Sequence, residues 1–133
     1  MLMAMNSGHD GCMATAHATS AANLVSRLAA LTQMAGLNLS DEAVLRQIGM
    51  AIHLVVQVEV GADGVRRISK VTALQAAADG NLSFTDVFEY RPGSSAGQGG
   101  GHCATGLVPH FHARLESKGA LPGDLYSGEG DKR

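Results

Sequence analysis

Two stretches in the first half of the chain repeat apolar residues every three or four positions, which is the spacing of one face of an α-helix. The first stretch begins after Ser20, a favourable N-cap residue, and ends before Gly36, which suits the position after a helix. The second begins after Ser40 with two acidic residues, which interact well with the positive end of a helix dipole. The pattern predicts helices over residues 21–35 and 41–52.

Beyond the second predicted helix, the period of the apolar residues changes to two, which indicates β-strands with one face buried. Alternating runs over residues 53–60, 66–74 and 82–90 are separated by turns that contain Asp-Gly or Gly-Asn. Successive strands joined by short turns usually pair. The sequence therefore predicts a three-stranded antiparallel sheet, and residues 12–18 are a further candidate for a short strand.

The C-terminal third has a different composition. Residues 91–101 are rich in Gly and Ser and predict a flexible linker. Residues 102–119 contain a candidate closing helix, which would begin at Pro109 and end before Gly119. Residues 120–133 have the composition of a disordered tail. This division leaves residues 1–90 as the single folded α/β domain.

Composition narrows the class of protein. The chain has 133 residues, 45% of them hydrophobic and 17% charged, with a net charge of −2. A nucleic-acid binder needs a clustered basic surface, so direct nucleic-acid binding is not expected. Two cysteines make no disulfide framework, the N-terminus lacks the pattern of a signal peptide, and no apolar run is long enough to span a membrane. A cytoplasmic protein is the expectation.

Two histidines are candidates for chemistry, because imidazole can contact a phosphate or bind a metal near neutral pH. His17 precedes the first predicted helix and follows the short predicted strand, a place where open α/β sheets bind ligands. It could equally be a structural histidine at the end of a strand. His9 follows a glycine in a loop, where a histidine is most often simply exposed.

Other groups carry weaker signals. His102, Cys103, His110 and His112 lack the paired ligand spacing of a structural zinc site, so no metal is predicted. Arg66 and Arg67 could contact a nucleotide or a neighbouring subunit, or could simply be solvated beside their turn. The chain contains neither a catalytic Ser-His-Asp pattern nor a phosphate loop of the GxxxxGK[ST] type.

A longer run of residues carries a family resemblance. The chain reads MAMNSGHDG, TAHATS and SRLAALTQMAG in succession, followed by RQIGMAIHLVVQVEV, RRISKVTAL and ATGLVPHF. This order resembles the hexameric traffic ATPases of type II and type IV secretion, which include the VirB-like and GspE-like proteins. It is most similar to the CpaF branch, which powers assembly of the Flp (Tad) pilus. The resemblance extends to about Gly119, and where Ser7, Cys12, Ala14 and Thr19 depart from the family pattern, both histidines remain.

The resemblance implies a fold and a set of roles. The fold would be the C-terminal part of a RecA-like P-loop NTPase core with an antiparallel extension. His17 would contact the γ-phosphate region of ATP, and His9 would help to fix the adjacent loop. The full-length family implies ATP and Mg²⁺ as cofactors, a homo-hexamer, and inner-membrane platform proteins as partners. The protein would then be cytoplasmic and peripheral to the inner membrane.

One departure from the family affects the expected activity. Its phosphate loop, acidic box and Walker B segment precede the histidine box, and none of them occurs in this sequence. The chain therefore resembles the C-terminal portion of such an ATPase, and alone it is expected neither to hydrolyse ATP nor to bind it tightly. Exposed apolar faces on both helices and an open sheet edge would favour self-association.

Two alternatives remain from the sequence. One is a non-enzymatic assembly module that docks on an intact secretion ATPase or on a membrane platform. The other, weaker, is a small metal protein that uses the histidines and cysteines.

Overall fold

The computed structural model describes residues 2–7, 11–36, 38–77, 80–93, 100–119 and 125–126. The fold is mixed α/β, with two main N-terminal helices and a four-stranded antiparallel sheet. Its elements in chain order are α1 (Leu2–Met5), α2 (Ala21–Met34), α3 (Asp41–Ala51), β1 (Leu54–Val60), β2 (Arg66–Ala76), β3 (Leu82–Arg91), β4 (Gly101–Ala104) and α4 (His112–Glu116). The described strands do not form the parallel core of a RecA-like domain.

Both predicted helices are confirmed, and each begins at the predicted cap. The Asn23 backbone N–H donates to Ser20 Oγ at 3.1 Å, and the Ala43 N–H donates to Ser40 Oγ at 3.2 Å. Each bond satisfies one of the backbone donors that the first turn of a helix leaves without a partner. Gly36 follows α2 with a positive φ of 74°, a conformation that glycine adopts without strain.

Both helices belong to the first of two compact units, which comprises residues 1–55 and 74–84. Its core is a cluster formed by Val25 of α2, Val44 and Ile48 of α3, Val55 of β1 and Leu74 of β2. Ile48 and Leu74 are fully buried. The apolar face of α3 is therefore covered, contrary to the expectation that it would be exposed, because residues from two strands pack against it.

The four strands lie in the order β1-β2-β3-β4, so each strand pairs with its neighbour in the sequence. In the turn between β1 and β2, the Gly61 N–H donates to the Val65 carbonyl at 2.9 Å. Between β2 and β3, the Ala77 N–H donates to the Asn81 carbonyl at 2.8 Å. The predicted antiparallel hairpins are confirmed.

The predicted number of strands was wrong, because β4 adds a fourth. Its antiparallel register with β3 places Phe88 opposite Ala104 and Tyr90 opposite His102. Arg91 ends β3 and Gly101 begins β4, so both ends of the predicted linker belong to strands, while residues 94–99 lie outside the described residues. A strand of four residues is too short to produce a detectable apolar alternation.

The short strand predicted over residues 12–18 is absent. Residues 11–18 form neither helix nor strand, and most of their side chains are exposed. A strand is stabilised by hydrogen bonds to a neighbouring strand, and a favourable local pattern does not supply that neighbour.

The second compact unit comprises residues 56–73 and 85–133. Its most buried side chains are Thr72 and Ala73 of β2 and Val87 of β3. The predicted closing helix is present as the five residues of α4, and Tyr126 from the predicted tail contacts Phe88 with ring centroids 5.8 Å apart. In the described part of the chain, no helix is both long and apolar enough to cross a membrane.

Candidate functional site

The histidine segment, residues 11–19, runs along the surface before α2, and its His17 side chain is exposed. Arg27, two turns into α2, donates from Nη1 to the His17 carbonyl at 3.3 Å. Asn23 in the first turn donates from Nδ2 to Thr19 Oγ1 at 2.6 Å. These contacts tie the backbone near His17 to the start of α2 and leave the imidazole facing solvent, where it could donate to or accept from a ligand. His9 lies outside the described residues.

The groups around His17 do not by themselves fit a magnesium–triphosphate complex. Such a complex needs hydroxyl or carboxylate oxygens for the metal and several N–H donors for the phosphates. The imidazole of His17 is one donor, and the guanidinium of Arg27 is directed at a backbone carbonyl. Within the described residues, no three His, Cys, Asp or Glu side chains lie close enough together to hold a metal ion.

Arg66 and Arg67 have different environments, although the sequence pattern suggests the same candidate roles for both. Arg67 forms a bidentate ion pair with Asp63 in the β1–β2 turn, from Nη1 at 2.8 Å and from Nη2 at 2.5 Å. Its guanidinium carbon also lies 5.2 Å from the centre of the Tyr90 ring. Arg66 is exposed and makes no ion pair within the described part of the chain. Of these two arginines, Arg66 is therefore the one more open to an external anion.

The ion pair shifts the titration of both partners. The hydrogen bond from Arg67, followed by the bond that the Val65 N–H donates, holds the pKa of Asp63 well below its usual range. The Asp63 carboxylate in turn raises the pKa of Arg67. Both groups are charged at neutral pH, and the pair holds the turn closed.

Tyr90 connects this ion pair to β4. The rings of Tyr90 and His102 meet edge to face with centroids 5.3 Å apart, and His102 Nε2 lies 3.0 Å from the Ile68 carbonyl. We refer to Asp63, Arg67, Tyr90 and His102 as the Arg67 cluster. Arg67 and Tyr90 of this cluster border a shallow pocket of about 90 Å³, which is also lined by Glu59, Val60, Gly61 and Ser69. Sequence reasoning missed this cluster, although Asp63 and Arg67 flank the predicted turn four residues apart.

A second polar network joins β2 to β3. Lys70 Nζ donates to Asp86 Oδ2 at 2.7 Å, and the buried Thr72 Oγ1 donates to Asp86 Oδ1 at 2.7 Å. Burial of Asp86 acts to raise the pKa of its carboxyl group, but the bonds from Lys70 and Thr72 outweigh burial and lower it. The pKa of Lys70 is raised by the same contact. This network is structural, since both carboxylate oxygens are already bound.

The residues considered for zinc have separate surroundings. His102 belongs to the Arg67 cluster, while the His112 ring meets that of Tyr126 edge to face at 5.2 Å. His112 Nε2 lies 3.9 Å from Glu116 Oε2, and its buried Nδ1 has no hydrogen-bond partner among the described residues. His110 packs edge to face on Phe111. The structure does not bring the four candidates together.

No model of a known protein family matches the chain, and a search of the curated proteins finds no match either.

Proposed function

We propose that the chain is the C-terminal portion of a hexameric traffic ATPase of type II or type IV secretion, and that its motor drives assembly of an Flp pilus. The proposal is carried by His17, the second histidine of the segment that resembles the family's histidine box. Its ring faces solvent while its backbone is tied to α2 through Arg27. A residue that senses a nucleotide needs both a ring open to the ligand and a fixed backbone.

In this proposal, the His17 imidazole contacts the γ-phosphate region, and His9 helps to fix the loop beside it. The parallel RecA-like strands, the phosphate loop and the acidic groups that hold Mg²⁺ come from sequence upstream of the histidine segment. ATP, when bound, supplies the phosphoryl group whose hydrolysis drives subunit motion. The residues of this chain contribute the sensing imidazole and a framework that orients it.

The different environments of the two arginines favour Arg66 for the proposed subunit contact. Arg67 is occupied by Asp63, whereas Arg66 is exposed beside it. We assign the contact with a nucleotide or a neighbouring subunit to Arg66, because a guanidinium already engaged in a bidentate pair has fewer donors left for a phosphate. Arg67 then supports the turn that precedes Arg66.

The first test is to read the gene upstream of Met1. We expect a phosphate loop and a Walker B acidic residue, in frame or across a single frameshift. If neither motif occurs upstream, the proposal is wrong, and the assembly module becomes the better explanation.

The second test uses a protein extended to include those upstream motifs. We expect it to hydrolyse ATP, and His17→Ala to lower kcat by about 10-fold or more, in line with the loss of a group that acts on the transition state. His53→Ala, which replaces an exposed histidine between α3 and β1, serves as the matched control and should leave kcat unchanged. Equal activity of the two variants would contradict the role of His17.

A further inference from the structure

One face of the edge strand β1 carries a row of exposed apolar side chains, which we call the valine stripe. Val56, Val58 and Val60 recur at every second residue of the strand and are between 52% and 59% exposed. Ile68 on the adjacent strand β2 is 41% exposed. The bonds from the Gly61 N–H to the Val65 carbonyl and from Ser69 Oγ to the Gln57 carbonyl indicate a register in which Val58 lies opposite Ile68. Alternation then places the three valines and Ile68 on one face of the sheet. Exposed apolar side chains on a strand at the edge of a sheet favour pairing with another chain.

The backbone of the same strand is open to pairing. β1 is the first strand in the order of the sheet, so no described strand lies beyond it. The Gly61 N–H and the Gln57 carbonyl both bond toward β2. Alternation then directs the N–H and C=O groups of Val56, Val58 and Val60 outward. The strand also lacks Lys, Arg and Pro, the residues that commonly protect an edge.

The sequence of this edge is complementary to itself. In a two-fold antiparallel pairing centred on Val58, each valine of one copy lies opposite a valine of the other, with Val56 facing Val60 and Val58 facing its own counterpart. On the other face, Gln57 lies opposite Glu59, so an amide meets a carboxylate and the two carboxylates do not meet. Such two-fold, self-complementary contacts are typical of homodimers.

We propose that the segment Val56–Val60 is a homodimer interface, at which a second copy of this chain adds its own β1 strand and places its valines beside those of the first copy. The interface consists of one short strand pair and a small apolar patch, which places it at the weak end of protein–protein interfaces. The dimer forms without nucleotide, so the proposal does not depend on the ATPase origin of the chain.

The first experiment measures the mass of the protein by sedimentation velocity up to about 0.5 mM. We expect a monomer–dimer equilibrium for the native chain and a monomer for Val58→Lys, which places two ammonium groups face to face. Val65→Lys is the matched control, since Val65 is 50% exposed but lies in the turn outside β1. It should dimerise like the native chain. Far-UV circular dichroism checks that both variants are folded.

The second experiment fixes the register. In a background with Cys12→Ser and Cys103→Ser, Val58→Cys should form a reducible dimer on mild oxidation, because paired residues across antiparallel strands fit disulfide geometry. Val65→Cys should remain monomeric. Gln57→Glu should weaken association by about 2- to 30-fold, because it places carboxylates opposite each other at two symmetry-related positions.

Three results would overturn the proposal. They are a native chain that stays monomeric at the highest concentration, a Val58→Lys variant that still dimerises, and equal cross-linking of the Val58→Cys and Val65→Cys variants. A monomeric native chain would leave the edge to a different partner, as the assembly-module alternative requires.

Discussion

Arg67 binds both carboxylate oxygens of Asp63, at 2.8 Å and 2.5 Å, across the turn that joins β1 to β2. This contact gives Arg66 and Arg67 different environments, although the sequence pattern alone does not distinguish them. One is held inside the protein's own hairpin, where it also covers Tyr90, and the other points to solvent. The stability of the turn therefore depends on Arg67, whereas Arg66 is the arginine to which we assign the proposed contact with an anion.

The first prediction concerns this ion pair. Arg67→Ala removes the largest cause of the lowered pKa of Asp63, so this pKa should rise toward the ordinary value of about 3.9. It should stay below that value, because the bond from the Val65 N–H remains. Arg66→Ala should leave the titration of Asp63 unchanged. Side-chain carboxyl chemical shifts followed by NMR as a function of pH measure both effects. An Asp63 that titrates identically in the two variants would show that the pair does not persist in solution.

The second prediction concerns the core of the first unit. Ile48 of α3 is fully buried in a cluster with residues of β1 and β2. Ile48→Ala should therefore lower the free energy of unfolding by about 2–5 kcal/mol. Met50 lies on the same helix but is 62% exposed, so Met50→Ala should change stability by less than about 0.5 kcal/mol. Urea denaturation followed by circular dichroism compares the two. If the two variants lost similar amounts of stability, Ile48 would not belong to the core of the first unit.

The third prediction concerns pH. The folded pKa of Asp86 lies below its unfolded value, so its contribution to stability is present above pH 4 or so and is lost as pH falls through the folded pKa. Asp86→Asn should cost about 1 kcal/mol at pH 7, a value reduced for partial exposure, and should flatten the loss of stability below about pH 4.

The same network sets a limit at high pH. Lys70 has a raised pKa, so its contribution is present below the unfolded value of about 10.4 and is lost as pH rises through the folded pKa. Thermal denaturation of the native protein and of Asp86→Asn from about pH 2 to pH 11 tests both limits. Parallel stability curves for the two proteins would contradict the role of the pair.

The fourth prediction concerns the start of α2, on which the position of the histidine segment depends. Ser20→Ala removes the acceptor of the Asn23 N–H and should cost about 1 kcal/mol. Ser26, in the middle of the helix, bonds back to the Ala22 carbonyl, so Ser26→Ala should be neutral or stabilise slightly. The midpoint of chemical denaturation should therefore fall for Ser20→Ala and should not fall for Ser26→Ala. If the losses are equal, the cap is not formed.

Local signals predicted much of the fold correctly. Ser20 and Ser40 cap the helices at the predicted positions, because N-capping involves residues only three apart. The Asp-Gly turn closes the first hairpin for the same reason, since its hydrogen bond joins Gly61 to Val65. In both cases the physical cause lies within a few residues of sequence.

Long-range contacts decided the rest. β4 exists because its residues pair with β3, and nothing in its four residues signals this in advance. The segment before α2 is not a strand because no neighbour pairs with it, which leaves His17 exposed.

The candidate residues show the same division. The sequence by itself determined the helices, the hairpins, the turn before Arg66 and Arg67, and the alternating valines of β1. Only the folded structure decided which of the two arginines is engaged, because this depends on side chains that meet in space: Asp63 of the turn and Tyr90 of β3 both contact Arg67. It also decided which valines are exposed, because this depends on the place of β1 at the edge of the sheet. Burial and pairing are properties of neighbours in space, and a local pattern does not contain them.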